Sequence, residues 1–357
     1  MEKQIYLDNA AAMKPEADIR QFYMDAAMGY FANVEAVHSL SYRSREALKC
    51  AGERVSGLLF ARRDYPVIWG TSATELFRLV ASCPKFAASA ASLLEHPALT
   101  ANFRKYTDFT PLAVDFCGRI IPGETEKTFD LAAQYQVQSE LGIIGSCGTL
   151  SAGFRLIDAV QAAGKLPIER NADGWIISGV KFGAPGGAAL LLSPDGRYTD
   201  ILLDHAQNSR HQDYAVSRVD VPLMLTMVHA LEAAEERRKE HFEKVSGLNS
   251  FIRQEVSELG IVSTLPEEID ASPYILNMLL PSQESAVVVR ALSGFGIFIA
   301  SGSACSAESG KPSAALTALG FRREKAYRAI RISFGFNNTQ KEAEIFISGL
   351  KKVLKNY

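Results

Sequence analysis

Three side chains with complementary chemistry lie close together in this chain. Lys181 follows the apolar, strand-like run Trp175-Ile176-Ile177-Ser178 and enters a loop of Gly, Ala and Pro, in the segment GWIISGVKFGAPGG. A lysine in that setting is poised to lose its proton and attack an aldehyde. Upstream, Asp158 and Gln161 stand in FRLIDAVQAAGKLPI, again just past an apolar run. A nucleophilic amine, a carboxylate that keeps a ring nitrogen cationic and an amide that reaches a ring hydroxyl are the parts of a pyridoxal phosphate site. Taken alone, Lys181 reads more simply as a solvated loop lysine.

Two more residues extend the chemistry. Cys305 sits in SGSACSAESGKPSAALTALG, where small polar residues and glycine make an exposed loop between a strand and a helix. Such a loop suits a reactive thiol better than a packing one, although a structural cysteine is the commoner case for any single residue. Arg331 lies in the apolar strand of YRAIRISFGFNNT, where a guanidinium needs an anionic partner. A substrate α-carboxylate gripped by two parallel hydrogen bonds is one such partner, and an internal Asp or Glu is the other.

The elements that position these residues alternate between strand-like and helical patterns. YPVIWG, TELFRLVASC, AASLLEH, LGIIGS, RLIDAV, WIISG and AALLLS follow one another, the mark of an α/β sheet with helices on its faces. From Val221 to about Leu259 the composition shifts to helix formers, including the solvated stretch EERRKEHFEK. This predicts one or two long helices with a break at Ser246-Gly247. Beyond it, SPYILNMLLP, ESAVVVRALSGFG, IFIAS, a helix beginning near Pro312, AIRISFG and a last helix form a small α/β unit. That last helix opens on a capping box of Thr339 and Glu342. The expected division is a large domain over 13–249 and a small one over 250–357, joined by residues 1–12.

Composition narrows the function classes. With 357 residues, 47% apolar and 22% charged, the chain is an ordinary globular protein with room for two cores. A formal net charge of −2 without a basic stripe argues against nucleic-acid and membrane-surface partners. The start MEKQIYLDNAAAMKPEAD lacks the apolar core of a signal peptide, and no apolar run is long enough to span a bilayer, so a cytoplasmic location is expected. Five unpaired-looking cysteines fit reduced thiols rather than a disulfide framework or a metal site.

The series IYLDNAA, FANVEAVHS, SATE, LEH, IDAVQAAGKLPI, SGVKFGAP, SGSACS and IRISFG runs through the chain in a single order. In that order it resembles the cysteine desulfurases, a branch of the class V aminotransferase family with the fold-type-I pyridoxal phosphate architecture. The resemblance implies a large, mostly parallel seven-stranded sheet with helices on both faces and a small C-terminal α/β domain. It also implies a homodimer. It makes Lys181 the Schiff-base lysine, Asp158 the partner of the ring nitrogen and Gln161 the donor to the ring hydroxyl. His96 would stack on the ring and relay protons; by residue type alone it is as well read as a surface or helix-capping histidine. Ala73, Thr74 and Ser178 would hold the phosphate, although N-cap and strand-end duty is the more frequent use of Thr and Ser. Arg331, with Asn33, would bind L-cysteine. Cys305 would take its sulfur as a persulfide, leaving L-alanine, and pass it to an acceptor protein. The alternatives are another class V enzyme, of the aminotransferase or selenocysteine lyase type, and a weakened homologue with a binding or regulatory role. Several positions depart from the family pattern: Val180 and Val221 replace a histidine and a threonine, and Ser72 replaces a glycine. The segment GSCGT at 145–149 lacks an Asn-Asn-Glu run, with Gly145 where an asparagine would touch ring and substrate. About ten residues are missing between Gly148 and Asp158.

Overall fold

The computed structural model describes residues 4–121, 127–145, 150–210, 219–302 and 312–356. In chain order the first half comprises β1 (Ile5–Tyr6), α1 (Ala17–Gly29), α2 (Ser39–Phe60), β2 (Val67–Gly70), α3 (Ala73–Ala81), β3 (Ala88–Ser92), α4 (Pro97–Tyr106), β4 (Asp108–Leu112), β5 (Phe129–Tyr135), β6 (Ala152–Asp158) and β7 (Gly174–Ser178). The second half adds β8 (Ala188–Leu192), α5 (Thr199–Arg210), α6 (Val221–Glu236), α7 (Arg238–Ser257), β9 (Val262–Ser263), β10 (Ile275–Leu279), α8 (Ser285–Gly294), β11 (Ile297–Phe298), α9 (Ala314–Ala318), α10 (Arg323–Ala326), β12 (Ala329–Ser333) and α11 (Gln340–Asn356).

Seven strands form the main sheet in the order β2-β8-β7-β6-β5-β3-β4. Its neighbours run parallel except for β8, which is antiparallel to both β2 and β7. Every residue of β7 and of β8 is buried, as expected of strands covered on both faces. The side-chain period of two sends alternate residues to opposite cores. Trp175 and Ile177 join α6 residues such as Met227 and Leu231, whereas Ile176 joins Leu76 and Val80 of α3 and Phe103 of α4. The sequence therefore builds the layered α/β fold that its alternating pattern predicts. Among the described residues no helix is long and apolar enough to cross a membrane.

A smaller antiparallel sheet, β12-β10-β9, stands in the C-terminal part. The N-terminal segment belongs with it, because β1 pairs in parallel with β11 and Asp8 bridges Ser333. The residue 249/250 boundary falls inside α7.

Four local expectations are corrected. The long helical stretch breaks at Arg237 (φ −106°, ψ 13°), while Ser246 and Gly247 lie inside α7. An exposed glycine costs a helix only about 1 kcal/mol against alanine, too little to stop one that packs on the core. His241 in the supposedly solvated EERRKEHFEK is buried and stacks on Phe336 at 4.3 Å between centroids. LGIIGS forms no strand, since Gly142 turns the chain at φ +81° with its N–H on the Gln138 carbonyl. The strand in that region is β5, whose FDLAAQY is interrupted by polar residues. Finally, only Ile297 and Phe298 of IFIAS are in a strand, and the helix after Pro312 is the five-residue α9. The capping box does form: Glu342 N–H donates to Thr339 Oγ1 at 3.3 Å and Thr339 N–H to Glu342 Oε2 at 3.1 Å.

Candidate active site

The C-terminal ends of the parallel strands carry the chemistry, which is where α/β sheets open a crevice for ligands. Asp158 is the last residue of β6, Lys181 follows β7 by a single 3-10 turn, and β6 and β7 are paired neighbours. Glu95 and His96 follow β3, Gln138 and Ser139 follow β5, and Ala73 opens α3 just after β2. One edge thus gathers residues from five connections.

Lys181 is held by the N-terminal segment. Its Nζ donates to the Ala10 carbonyl at 3.0 Å and the Ala11 carbonyl at 2.6 Å, and the Val180 carbonyl accepts Met13 N–H at 2.8 Å. Gly179 makes this turn possible, because a Cβ there would collide with the Gly186 carbonyl. Burial, together with the Arg331 cation, pushes the Lys181 amine down to about 8 against the pull of Asp158 and Asp8. An amine so tuned is still mostly protonated near pH 7, but its neutral, nucleophilic fraction is far larger than a free lysine's.

Asp158 is buried, and burial pushes its carboxyl up to about 6 despite Val160 N–H donating to Oδ1 at 3.0 Å and the nearby Lys181 cation. Among the described residues no donor meets its second oxygen. A buried carboxylate with a free oxygen fits a pyridinium N–H. Gln161 donates from Nε2 to the Ala10 carbonyl at 2.8 Å and accepts at Oε1 from Lys165 Nζ at 3.2 Å. His96 is the N-cap of α4: Nδ1 accepts Ala98 N–H at 3.1 Å, so its ring proton sits on Nε2. Burial and the Lys181 cation lower its pKa and keep the imidazole neutral. The capping reading of His96 therefore holds, and its other nitrogen stays available.

Arg331, 4% exposed, is the buried cation the sequence predicts, and it has internal partners. Nη2 pairs with Asp8 Oδ1 at 2.6 Å and Nη1 donates to the Ser139 carbonyl at 3.0 Å, while Nε has no partner among the described residues. Gly145 itself has no room for a side chain. A Cβ at Gly145 would strike the Tyr135 carbonyl, and its N–H is bound to Gln136. Gln138-Ser139-Glu140 is the run that meets Arg331, through the Ser139 carbonyl.

Ala73 and Thr74 form the first turn of α3, with Ser72 as N-cap accepting Glu75 N–H at 3.3 Å. Ser178 is buried at the end of β7, Val180 is half-buried and Val221 is buried at the start of α6. Asn33 is exposed, accepts Glu35 N–H at 3.1 Å in a local turn, and no described bond ties it to the cluster. Cys305 lies outside the described residues, as do 146–149. Two residues inside the quoted motifs went unread. Glu95 is buried, accepts Tyr135 N–H at 2.9 Å on Oε1 and leaves Oε2 without a partner among the described residues. Burial and the neighbouring Asp158 raise its pKa well above the usual range, which favours the neutral acid. Lys165 is the other.

The Aminotransferase class-V family model matches residues 5–346. The chain is 26% identical to the cysteine desulfurase IscS of Clostridium botulinum strain Kyoto, over 99% of this chain and 95% of that one. A solved NifS-like protein superposes with a TM-score of 0.82 at 19% identity, covering 99% of this chain and all of the other. SspA, solved in complex with cysteine, superposes at 0.71 with 22% identity over 94% of this chain and all of SspA.

Proposed function

The chain belongs to the class-V aminotransferase family, and from that premise we propose that it is a pyridoxal phosphate-dependent cysteine desulfurase that converts L-cysteine to L-alanine. The observation carrying this reading is the convergence of Lys181, Asp158, Gln161 and Arg331 at one sheet edge, with the amine tuned down and the carboxyl oxygen left free. The end-to-end match to a relative named cysteine desulfurase supports the substrate.

When bound, pyridoxal phosphate supplies an aldehyde for amines and a cationic ring that draws electrons from the amino acid's α-carbon. Lys181 would hold the aldehyde and, once displaced, serve as base at the α-carbon. Asp158 would keep the ring nitrogen protonated by pairing with its N–H. Gln161 would donate to the ring hydroxyl, and neutral His96 would lie against the ring with Nε2–H free to relay a proton. Ala73, Thr74 and Ser178 would receive the phosphate at the α3 N-terminus. Arg331, steadied by Asp8 and Ser139, would offer its Nε edge to the substrate carboxylate. The Cys305 thiolate would then attack the substrate sulfur. An S–S bond forms and the carbon–sulfur bond breaks, its electron pair returning to carbon, where a proton completes alanine.

A homodimer is part of this reading. Met24, Met28, Phe31, Val37, Leu40 and Tyr42 are exposed along the end of α1 and the start of α2, a patch that a second copy would cover. Asn33 sits in that stretch and so would serve the partner's substrate rather than its own. The division into 13–249 and 250–357 with 1–12 also belongs here, supported by the pairing of β1 with β11. The persulfide would go to an acceptor protein in a reducing, cytoplasmic setting.

The test is incubation with L-cysteine and a reductant, followed by assay of alanine and sulfide together. Equal yields are expected, lost in Lys181→Ala and in Cys305→Ala. Turnover that survives Cys305→Ala would instead mark a transaminase or lyase of the same family.

A further inference from the structure

Among the described residues Lys165 is a buried amine with no part in that chemistry. It is 2% exposed, makes no ion pair there, and its Nζ lies 5.7 Å from the Tyr274 ring centroid. Among the described residues its side chain makes one hydrogen bond, to Gln161 Oε1 at 3.2 Å. Burying an ammonium for so little is expensive, and such expense is typically kept where it shapes a site. Burial and the Lys181 cation push this amine down to about 7.

We propose that Lys165 is a positioning residue that fixes the orientation of the Gln161 side-chain amide. A primary amide presents an acceptor on one side and a donor on the other, and can turn end for end. Lys165 only donates while protonated, so it holds Oε1 toward itself and turns Nε2 toward Ala10. Ala10 is also the carbonyl that holds Lys181. A neutral amine can donate or accept, so above the lysine's titration the orientation is left to the acceptor-only Ala10 carbonyl, and the ammonium form is the one that enforces it. Without Lys165, a turned Gln161 would face its carbonyl toward an electron-rich ring oxygen. This inference rests on the pyridoxal phosphate reading for its consequence, but the amide orientation belongs to the protein alone.

The experiment uses Lys165→Met, which keeps length and apolar fit, and Lys165→Gln, which retains a donor. In cofactor-free protein the Gln161 NH₂ pair of a proton–nitrogen correlation spectrum is identified by its loss in Gln161→Ala. It is expected to shift or split in Lys165→Met and to change less in Lys165→Gln. In protein loaded with pyridoxal phosphate, Lys165→Met is expected to alter the yellow imine band and lower kcat about tenfold, with KM within about twofold. The same change on the Gln161→Ala background is expected to cost nothing more. An unmoved amide signal, or an equal loss in both backgrounds, overturns the proposal. Should Lys165→Met fail to fold, Lys165→Leu, which equally lacks a donor, takes its place with the same expected shift and the same overturning result. If the unsubstituted protein forms no yellow band, the desulfurase reading fails while the amide signal still judges Lys165.

Discussion

At the proposed ring end of the site Lys181 and Gln161 share the Ala10 carbonyl, Lys165 donates to Gln161 in turn, and Asp158 lies buried beside them. At the proposed phosphate end the donor side chains are sparse. Val180 and Val221 offer no donor, and Glu75 turns its carboxylate back on Thr71, whose N–H and hydroxyl donate to Oε2 at 2.6 and 2.8 Å. What remains there is the N-terminus of α3 with Thr74 and Ser178. On the proposed reading the difference separates two tasks of one cofactor site. Lys181, Asp158 and Gln161, which would bear on the ring and the reacting carbon, are all in place, while side chains that would only anchor the phosphate are fewer, each charge-assisted bond being worth about 1.5–3 kcal/mol. Such a site would run its chemistry but hold its cofactor loosely.

The comparison breaks most decisively at Asp158. Asp158→Asn is expected to lower turnover about a thousandfold with cofactor saturating, because the ring nitrogen loses its ionic partner. A loss recovered simply by adding cofactor would show that the ring end anchors rather than activates. Arg331→Lys removes the fork yet keeps the charge, and should raise KM for L-cysteine about ten- to a hundredfold with a smaller change in kcat. An unchanged KM would mean that the Asp8 pair is Arg331's whole purpose.

Legibility followed the same division. Lys181, Asp158 and Gln161 could be read because each follows an apolar run that ends at the sheet edge, so local pattern placed them. Arg331 was legible as a buried cation, but Asp8, its partner, is 323 residues away in sequence, and no local signal joins the two. Gln138-Ser139-Glu140 went unread because its contribution is the Ser139 carbonyl, which any residue type supplies. Glu95 and Lys165 were passed over because their residue types are among the least often buried, and only tertiary packing reveals the exception. At the Arg237 break the helices part, α6 packing on α1 and α2 and α7 on α11 and β9, contacts that no local signal such as one glycine announces. The large sheet was plain from sequence because its central strands are covered on both faces and leave continuous apolar runs.

The phosphate end sharpens by addition. Val180→His restores the family donor beside Lys181 without touching the Val180 carbonyl that holds Met13. Pyridoxal phosphate should then bind about tenfold tighter, measured by titration of the yellow band, with kcat little changed. A histidine that altered kcat instead of affinity would dissolve the distinction between the two ends.

The smallest effect concerns stability without cofactor. Lys181 titrates at about 8 in the folded protein against 10.5 for a free lysine. A lowered lysine pKa means the unfolded chain binds more protons between those values, so this group's contribution rises with pH through that window and its penalty is complete below about pH 8. Removing the amine in Lys181→Met should therefore raise Tm more at pH 7 than at pH 10, by at most about 3 kcal/mol of charge penalty. The hydrogen bonds to Ala10 and Ala11 are lost in the variant at either pH, since both protonation states of lysine donate, and so they cancel in the difference. Equal Tm changes at the two pH values would mean the amine is not desolvated, and the ring end would then lack the tuned nucleophile that sets it apart from the phosphate end.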